Sequence, residues 1–563
     1  MINFWTGLLP VLLILALSGL FVIAGLTIYR YGIIGYKEHP WSLRLGLGYF
    51  FGLAVFLIVY RLVTAWLQQA NTAAKIGLIV CAILALLELV RWRSKYFIFF
   101  VKQHYWQIML SVFLISGISV LLFCLWLPNC PLPTDPFIHF GSIHSGRNVN
   151  IAKYIYDNNT IPALTQNYGH ALLASIVLWF GFQTPFSALF IWLVVSMCFY
   201  AFIVYGFFRW FDLNMRLSYL GLLIVLVGNT ALSFLDIGVI DSYSPLIRTG
   251  YVDTILAIAT FFGFVLWLKN MYSQTTILQY VLVPSIFGFV WNMFASQNIV
   301  MGIVTYGIML IVILRNKKIS FYRISISALF FTMAVGLGSM YGGMLTIKQF
   351  QDVVHVPGIL TAPLAKNIVN ITPELPYLYY GSEYHYSPYH FTVPLNNFFH
   401  YQLNNDDVWK IENNIWLALR ITFWPLVGCI LTGILLYFQK TKKTSIDWNT
   451  NVVSKIKHFL SITLIVFITG VSIAFWFQLG DFKWELTRFI IPAYVFGMFL
   501  LVVSGSTILG RLKQKRQQIF FSVIITFVIL IGPTRHILEI VYRNIWLDTL
   551  GGIETRMDLF FHH

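Results

Sequence analysis

Little of this sequence is charged. Asp, Glu, Lys and Arg make up 10% of its 563 residues, against roughly 25% in a soluble globular chain. Acid is the scarcer sign: 21 Asp and Glu face 37 Lys and Arg, a formal balance of +16. Cysteine is nearly absent. Its five residues show no Cys-x-x-Cys spacing, which argues against a disulfide framework and a thiolate metal site. There is no P-loop, no dinucleotide-binding glycine fingerprint, no His-Glu-x-x-His and no Gly-x-Ser-x-Gly at a strand–helix turn. ATP-driven transport and soluble-cofactor redox chemistry therefore lack sequence support. Several soluble domains, or a disordered chain, are excluded by the same composition.

Apolar residues fill the space: 58% of the chain, with a mean hydropathy of +0.76. They come in continuous runs rather than in alternation, which excludes a membrane β-barrel. The expected fold class is all-α, a polytopic transmembrane helix bundle. A span needs about 20 apolar residues. Candidate spans lie near 5–28, 46–68, 74–90, 107–127, 168–183, 186–208, 217–234, 251–268, 278–293, 297–314, 324–343, 416–438, 458–478, 489–509 and 519–533. Some are short enough to be re-entrant, so about 13–15 crossings are expected. The first run, from Leu8, has no basic n-region or small-residue cleavage site and reads as a retained span.

Basic residues cluster in short connections: Arg91 to Lys102, Arg315 to Arg323, Lys440 to Lys457, and Arg511 to Arg516. This is the positive-inside pattern, which places those loops in the cytoplasm and makes membrane lipids, not nucleic acid, the partners of the basic charge. The chain then divides into N-terminal spans (1–127), a first outward loop (128–167), a central bundle (168–343), a large outward loop (344–415) and C-terminal spans with a tail (416–563). Residues 479–488 also face outward. Counting crossings from the two ends gives opposite orientations near 168–216, so one of the candidate spans there is wrongly assigned. Within the bilayer, Arg61 and Glu88 are expected to pair across neighbouring helices, because an unpaired charge there is expensive.

Long connections on a bundle this apolar are usually functional. The first outward loop holds Asp135, His139, His144 and Arg147 directly after a span. An acid at the mouth of a bundle suits a general base; capping a turn before Pro136 is the plainer task. The histidines, five apart, match no metal signature. Beyond them, Val149–Tyr156 suits a short interfacial helix, with Ile151 and Ile155 on the dry face and Lys153 and Asp157 on the wet one. A second segment carries Asp236, Asp241, Arg248 and Asp253 between two spans, and Asp253 suits the positive end of a helix dipole. The last outward loop crowds Asp481, Lys483, Glu485 and Arg488 ahead of Pro492. Arg488 offers a planar fork for a phosphate and Lys483 a second cation; pairing of Arg488 with Glu485 is the alternative.

Four of these pieces together resemble one family, the GT-C-type integral membrane glycosyltransferases that use polyprenyl-phosphate sugars. An outward acid, an amphipathic helix, a proline and a Tyr-x-Gly-His-like span entry correspond to Asp135, Asn150-Ile-Ala-Lys-Tyr-Ile155, Ile161-Pro162 and Tyr168-Gly169-His170. A Tyr-x-Asp opening a small-residue helix corresponds to Tyr251-Val-Asp253. An Arg-aromatic-x-x-Pro entry corresponds to Arg488-Phe-Ile-Ile-Pro492, while Ser296-Gln297-Asn298 stands where relatives have a Lys-Asn-Glu-Gly-like turn. The sequence departs from relatives before the amphipathic helix, where their Asp and His give way to His144 and Asn148.

The resemblance implies inverting transfer of a sugar from a polyprenyl-phosphate donor to a glycan, lipid or protein acceptor on the outer side. A carboxylate base would come from Asp135, Asp241, Asp236 or Asp253, in that order. Arg488, Lys483, Arg147, His144, Arg248 and Glu485 are the candidate donor-phosphate and substrate contacts. A divalent cation, magnesium or manganese, is a second way to offset the leaving phosphate; no metal ligand is assigned. The 344–415 loop would serve as a lid or acceptor platform, with Tyr386 and Trp409 for sugar stacking. A multi-pass protein of the bacterial inner membrane, its site facing the periplasm, is expected. The sequence also leaves open an O-antigen polymerase or ligase, for which His355, His385, His390 and His400 stand in the large loop, and a non-enzymatic transporter or flippase.

Overall fold

The computed structural model describes residues 4–91, 151–161, 169–182, 185–227, 252–271, 276–294, 299–315, 321–340, 354–355, 411–440, 450–476, 478–479 and 485–509, with a few isolated positions. The chain is a helical bundle. Its elements are α1 (Phe4–Gly32), α2 (Trp41–Leu67), α3 (Ala70–Leu89), α4 (Gly169–Trp179), α5 (Pro185–Trp210), α6 (Met215–Val227), α7 (Val252–Lys269), α8 (Ile277–Met293), α9 (Ile299–Arg315), α10 (Phe321–Met340), α11 (Ile411–Lys440), α12 (Thr450–Trp476) and α13 (Glu485–Leu509). Two-residue strands β1 (Val354–His355) and β2 (Gln478–Leu479) pair antiparallel. Among the described residues, eight helices are long and apolar enough to cross a membrane, which makes the protein multi-pass.

α1 and α2 form the tightest hairpin. Gly25 lies against the Gly48 carbonyl, and Gly52 against the Phe21 carbonyl. Any Cβ at these places meets backbone, so the two helices touch main chain to main chain, as small residues allow inside membranes. Gly52→Ala is expected to lower stability by about 1–3 kcal/mol, the usual cost of overpacking. A fall in the unfolding temperature of the detergent-solubilised variant would show it; an unchanged value would contradict the packing.

α7 occupies the centre. Every side chain from Ile255 to Leu268 is buried, which is how a helix that is apolar all round must sit. It packs against α2, α5, α8 and α12. Phenylalanines form the seams: Phe261 stacks on Phe496 of α13 at 5.1 Å, and Phe264 on Phe287 of α8 at 4.4 Å between ring centres.

Helix ends sort into two groups. At one end, Glu88 of α3 pairs with Arg30 of α1, Asn270 donates to the Ile34 carbonyl at 2.9 Å, and Arg91, Lys269, Arg323 and Lys455 gather. The other end holds the start of α3, where the Ala70 and Asn71 N–H groups donate to the Asn159 carbonyl and side-chain oxygen, each at 2.8 Å. Asn159 follows the helical residues 151–158 in a left-handed conformation, φ 52°. Ile151, Ala152 and Ile155 are buried while Lys153 and Asp157 are exposed, so this helix has the wet and dry faces that its pattern predicts. Cysteines placed at exposed Lys37 and Asp157 should label from opposite sides of the membrane; labelling from one side would break this arrangement.

Glu88 pairs with Arg30, not with Arg61. α2 and α3 are antiparallel, joined at Gln68–Gln69, and at 1.5 Å per residue Arg61 lies about 9 Å from the turn and Glu88 about 27 Å. The crossing conflict near 168–216 falls on α4. Its eleven residues rise about 16 Å, half of a roughly 30 Å hydrocarbon core. Counting it as a non-crossing segment brings both counts into agreement.

Candidate functional site

Asp253 opens α7, yet its carboxylate serves another helix. Oδ1 accepts from the Gly169 N–H at 2.7 Å and Oδ2 from the His170 N–H at 3.2 Å. Those N–H groups start α4 and have no intrahelical acceptor. A carboxylate there meets two donors and the positive end of the α4 dipole as well as that of its own helix. This is how a fully buried acid remains tolerable.

The junction is closed on its other sides. A Cβ on Gly169 would run into the Asp253 carboxylate and lie 3.2 Å from Leu57. Glycine is thus required by close approach. Gly169→Ala should separate the two helix starts and lower both stability and activity; unaltered thermal unfolding of that variant would refute the contact. His170 is buried, and its Nε2 lies 2.6 Å from the Leu189 carbonyl of α5. A carbonyl can only accept, so Nε2 carries the proton, and Nδ1 is left as an acceptor without a hydrogen-bond partner. Trp192 Nε1 donates to the Leu173 carbonyl at 3.2 Å, and the Tyr60 and Ser175 hydroxyls lie 3.0 Å apart. Leu57, Tyr60, Arg61 and Thr64 follow helical spacing on α2; the first two face α4, and Arg61 is buried beside them.

The two motifs, 84 residues apart, therefore form one junction. Asp253 acts there through position.

Asp135, His144, Arg147, Asp236, Asp241, Arg248 and Lys483 lie outside the described residues. Glu485 and Arg488 fall in the first turn of α13, so that helix starts four residues before the apolar run at Phe489. The strand pair sets Val354 opposite Leu479 and His355 opposite Gln478, which brings the large 344–415 connection to the chain leading into α13. Among the described residues, no group of three His, Cys, Asp or Glu converges to hold a metal ion. Gly169 and His170 were visible in the motif, but their role as the receptor for Asp253 was not, since no local pattern encodes so distant a contact. No family model, no curated protein and no solved structure matches this chain.

Proposed function

We propose that this protein is a membrane glycosyltransferase that moves a sugar from a polyprenyl-phosphate donor to a glycan, lipid or protein acceptor at the end where α4 and α7 begin. The observation that carries the proposal is the Asp253–Gly169–His170 junction: the two motifs that suggested the family are one physical unit. In a bacterial inner membrane this end would face the periplasm, since the basic clusters gather at the other.

The proposed reaction is inverting. A carboxylate, Asp135 first and then Asp241 or Asp236, takes the proton of the acceptor hydroxyl. That oxygen attacks the anomeric carbon as the carbon–oxygen bond to phosphate breaks, and polyprenyl phosphate departs. One displacement needs one base and no covalent intermediate, unlike a retaining double displacement. Charge grows on the leaving phosphate, so cations pre-placed there lower the barrier. Arg488, in the first turn of α13, and Lys483 just before it are assigned to this task. A divalent cation would supply the same electrostatic help; no step depends on it.

Arg488→Lys tests the assignment. A bidentate phosphate contact is not replaced by a point charge, so turnover should fall about tenfold or more, with donor affinity, because the contact strengthens in the transition state. An arginine that merely reaches toward lipid, or pairs with Glu485, tolerates lysine. Full activity in purified Arg488→Lys would remove Arg488 from the site.

A further inference from the structure

At the basic end several cations gather with no acid of the described residues in ion-pair contact. Four pieces meet there: the 33–40 turn and the ends of α5, α7 and α12. Lys455 Nζ donates to the Trp210 carbonyl at 2.7 Å, and Lys269 Nζ to Ser454 Oγ at 2.5 Å. His39 is buried among them, with the Tyr29 hydroxyl 2.6 Å from its Nδ1. Burial, with Arg44 and Lys455 nearby, pushes the His39 pKa down to about 4. Its ring is therefore neutral at pH 7, and the positive charge of the corner belongs to Arg44, Lys455 and Lys269.

None of the three has a carboxylate of the described residues within ion-pair distance. Arg44 is half-buried, and its Nε is buried without a hydrogen-bond partner. Its ionisable neighbours are the phenols Tyr29 and Tyr36 and a further cation, Arg30, whose charge Glu88 already meets. Asp212 and Glu38 act on Lys455 only at longer electrostatic reach. Half-buried cations with no acid in ion-pair contact are stabilised by an anion that brings its own oxygens.

We propose that this corner is a binding site for a phosphate-bearing anion, held by Arg44, Lys455 and Lys269. It lies at the end opposite the Asp253 junction and does not depend on the transfer reaction. The phosphate belongs either to an anionic lipid headgroup or to a soluble phosphate, and one experiment separates the sources. Native mass spectrometry of the full chain is run with phosphatidylglycerol or with phosphatidylcholine of the same acyl chains. In parallel, thermal unfolding is followed with inorganic phosphate.

Each of Arg44→Gln and Lys455→Gln should weaken binding about fivefold, and the double variant about 25-fold, from roughly 1 kcal/mol per cation. The exposed neighbours Lys37 and Lys457 provide the control, because Lys37→Gln with Lys457→Gln should leave binding unchanged. Selective retention of phosphatidylglycerol identifies a headgroup site. Stabilisation by inorganic phosphate that Arg44→Gln abolishes identifies a soluble ligand. If neither anion binds, or if the control loses as much as the site variants, the proposal is overturned. Should Arg44→Gln fail to fold, Lys269→Gln and Lys455→Gln decide in its place.

Discussion

Asp135→Asn is expected to cut turnover by about 10²-fold or more, the scale of losing a general base, while leaving the fold intact. The amide has nearly the shape of the carboxyl but cannot take a proton at neutral pH. Asp135 stands directly after an apolar run and ahead of the amphipathic helix at 151–158. There an acid would meet both an acceptor from the aqueous side and a donor sugar held at the headgroup level. Turnover of the purified variant, beside its thermal unfolding, is the measurement. Wild-type turnover in Asp135→Asn together with total loss in Asp241→Asn or Asp236→Asn would move the base to the other loop and leave the reaction class standing.

The second large effect concerns stability. Asp253→Ala leaves the Gly169 and His170 N–H groups buried without the carboxylate that accepts from both of them. A buried N–H left without an acceptor costs about 1–3 kcal/mol, and two of them together are a large part of a typical folding free energy. Little folded protein should survive extraction into detergent. Asp253→Asn discriminates more finely. Asparagine keeps one acceptor and turns an NH2 toward the second N–H, so it too should unfold at a lower temperature. An Asp253→Asn protein with unchanged unfolding temperature and no turnover would instead make Asp253 the base.

The sequence made the helices legible because each is a long apolar run, and the ends of α1, α2, α5, α7 and α13 lie within a few residues of the expected spans. That basic residues such as Arg91, Arg323 and Lys455 share one end of the bundle was legible too, since basic loops are a compositional signal. Contacts between helices were not. Sequence alone pairs Glu88 with Arg61, because each is costly inside the bilayer unpaired; only the antiparallel geometry of α2 and α3 shows that Arg30 is the partner within reach. The local pattern offers Asp253 its own helix dipole or a place among the candidate bases. Its larger task, on a helix that begins 84 residues earlier, is a tertiary fact without a local pattern. α4 looked like a span because all eleven of its residues are apolar or small apart from His170; its length, set by the turn at Gly181 (φ 87°), was the missing information.

Mass spectrometry of lipid-linked sugars and surface glycans, in cells that lack this protein and in the same cells resupplied with it, tests the central claim most directly. Sugar transfer from a polyprenyl-phosphate donor predicts that one polyprenyl-phosphate sugar accumulates without the protein, that one glycan loses that sugar, and that wild type reverses both while Asp135→Asn reverses neither. An unchanged donor pool together with unchanged glycans would contradict the transfer reaction.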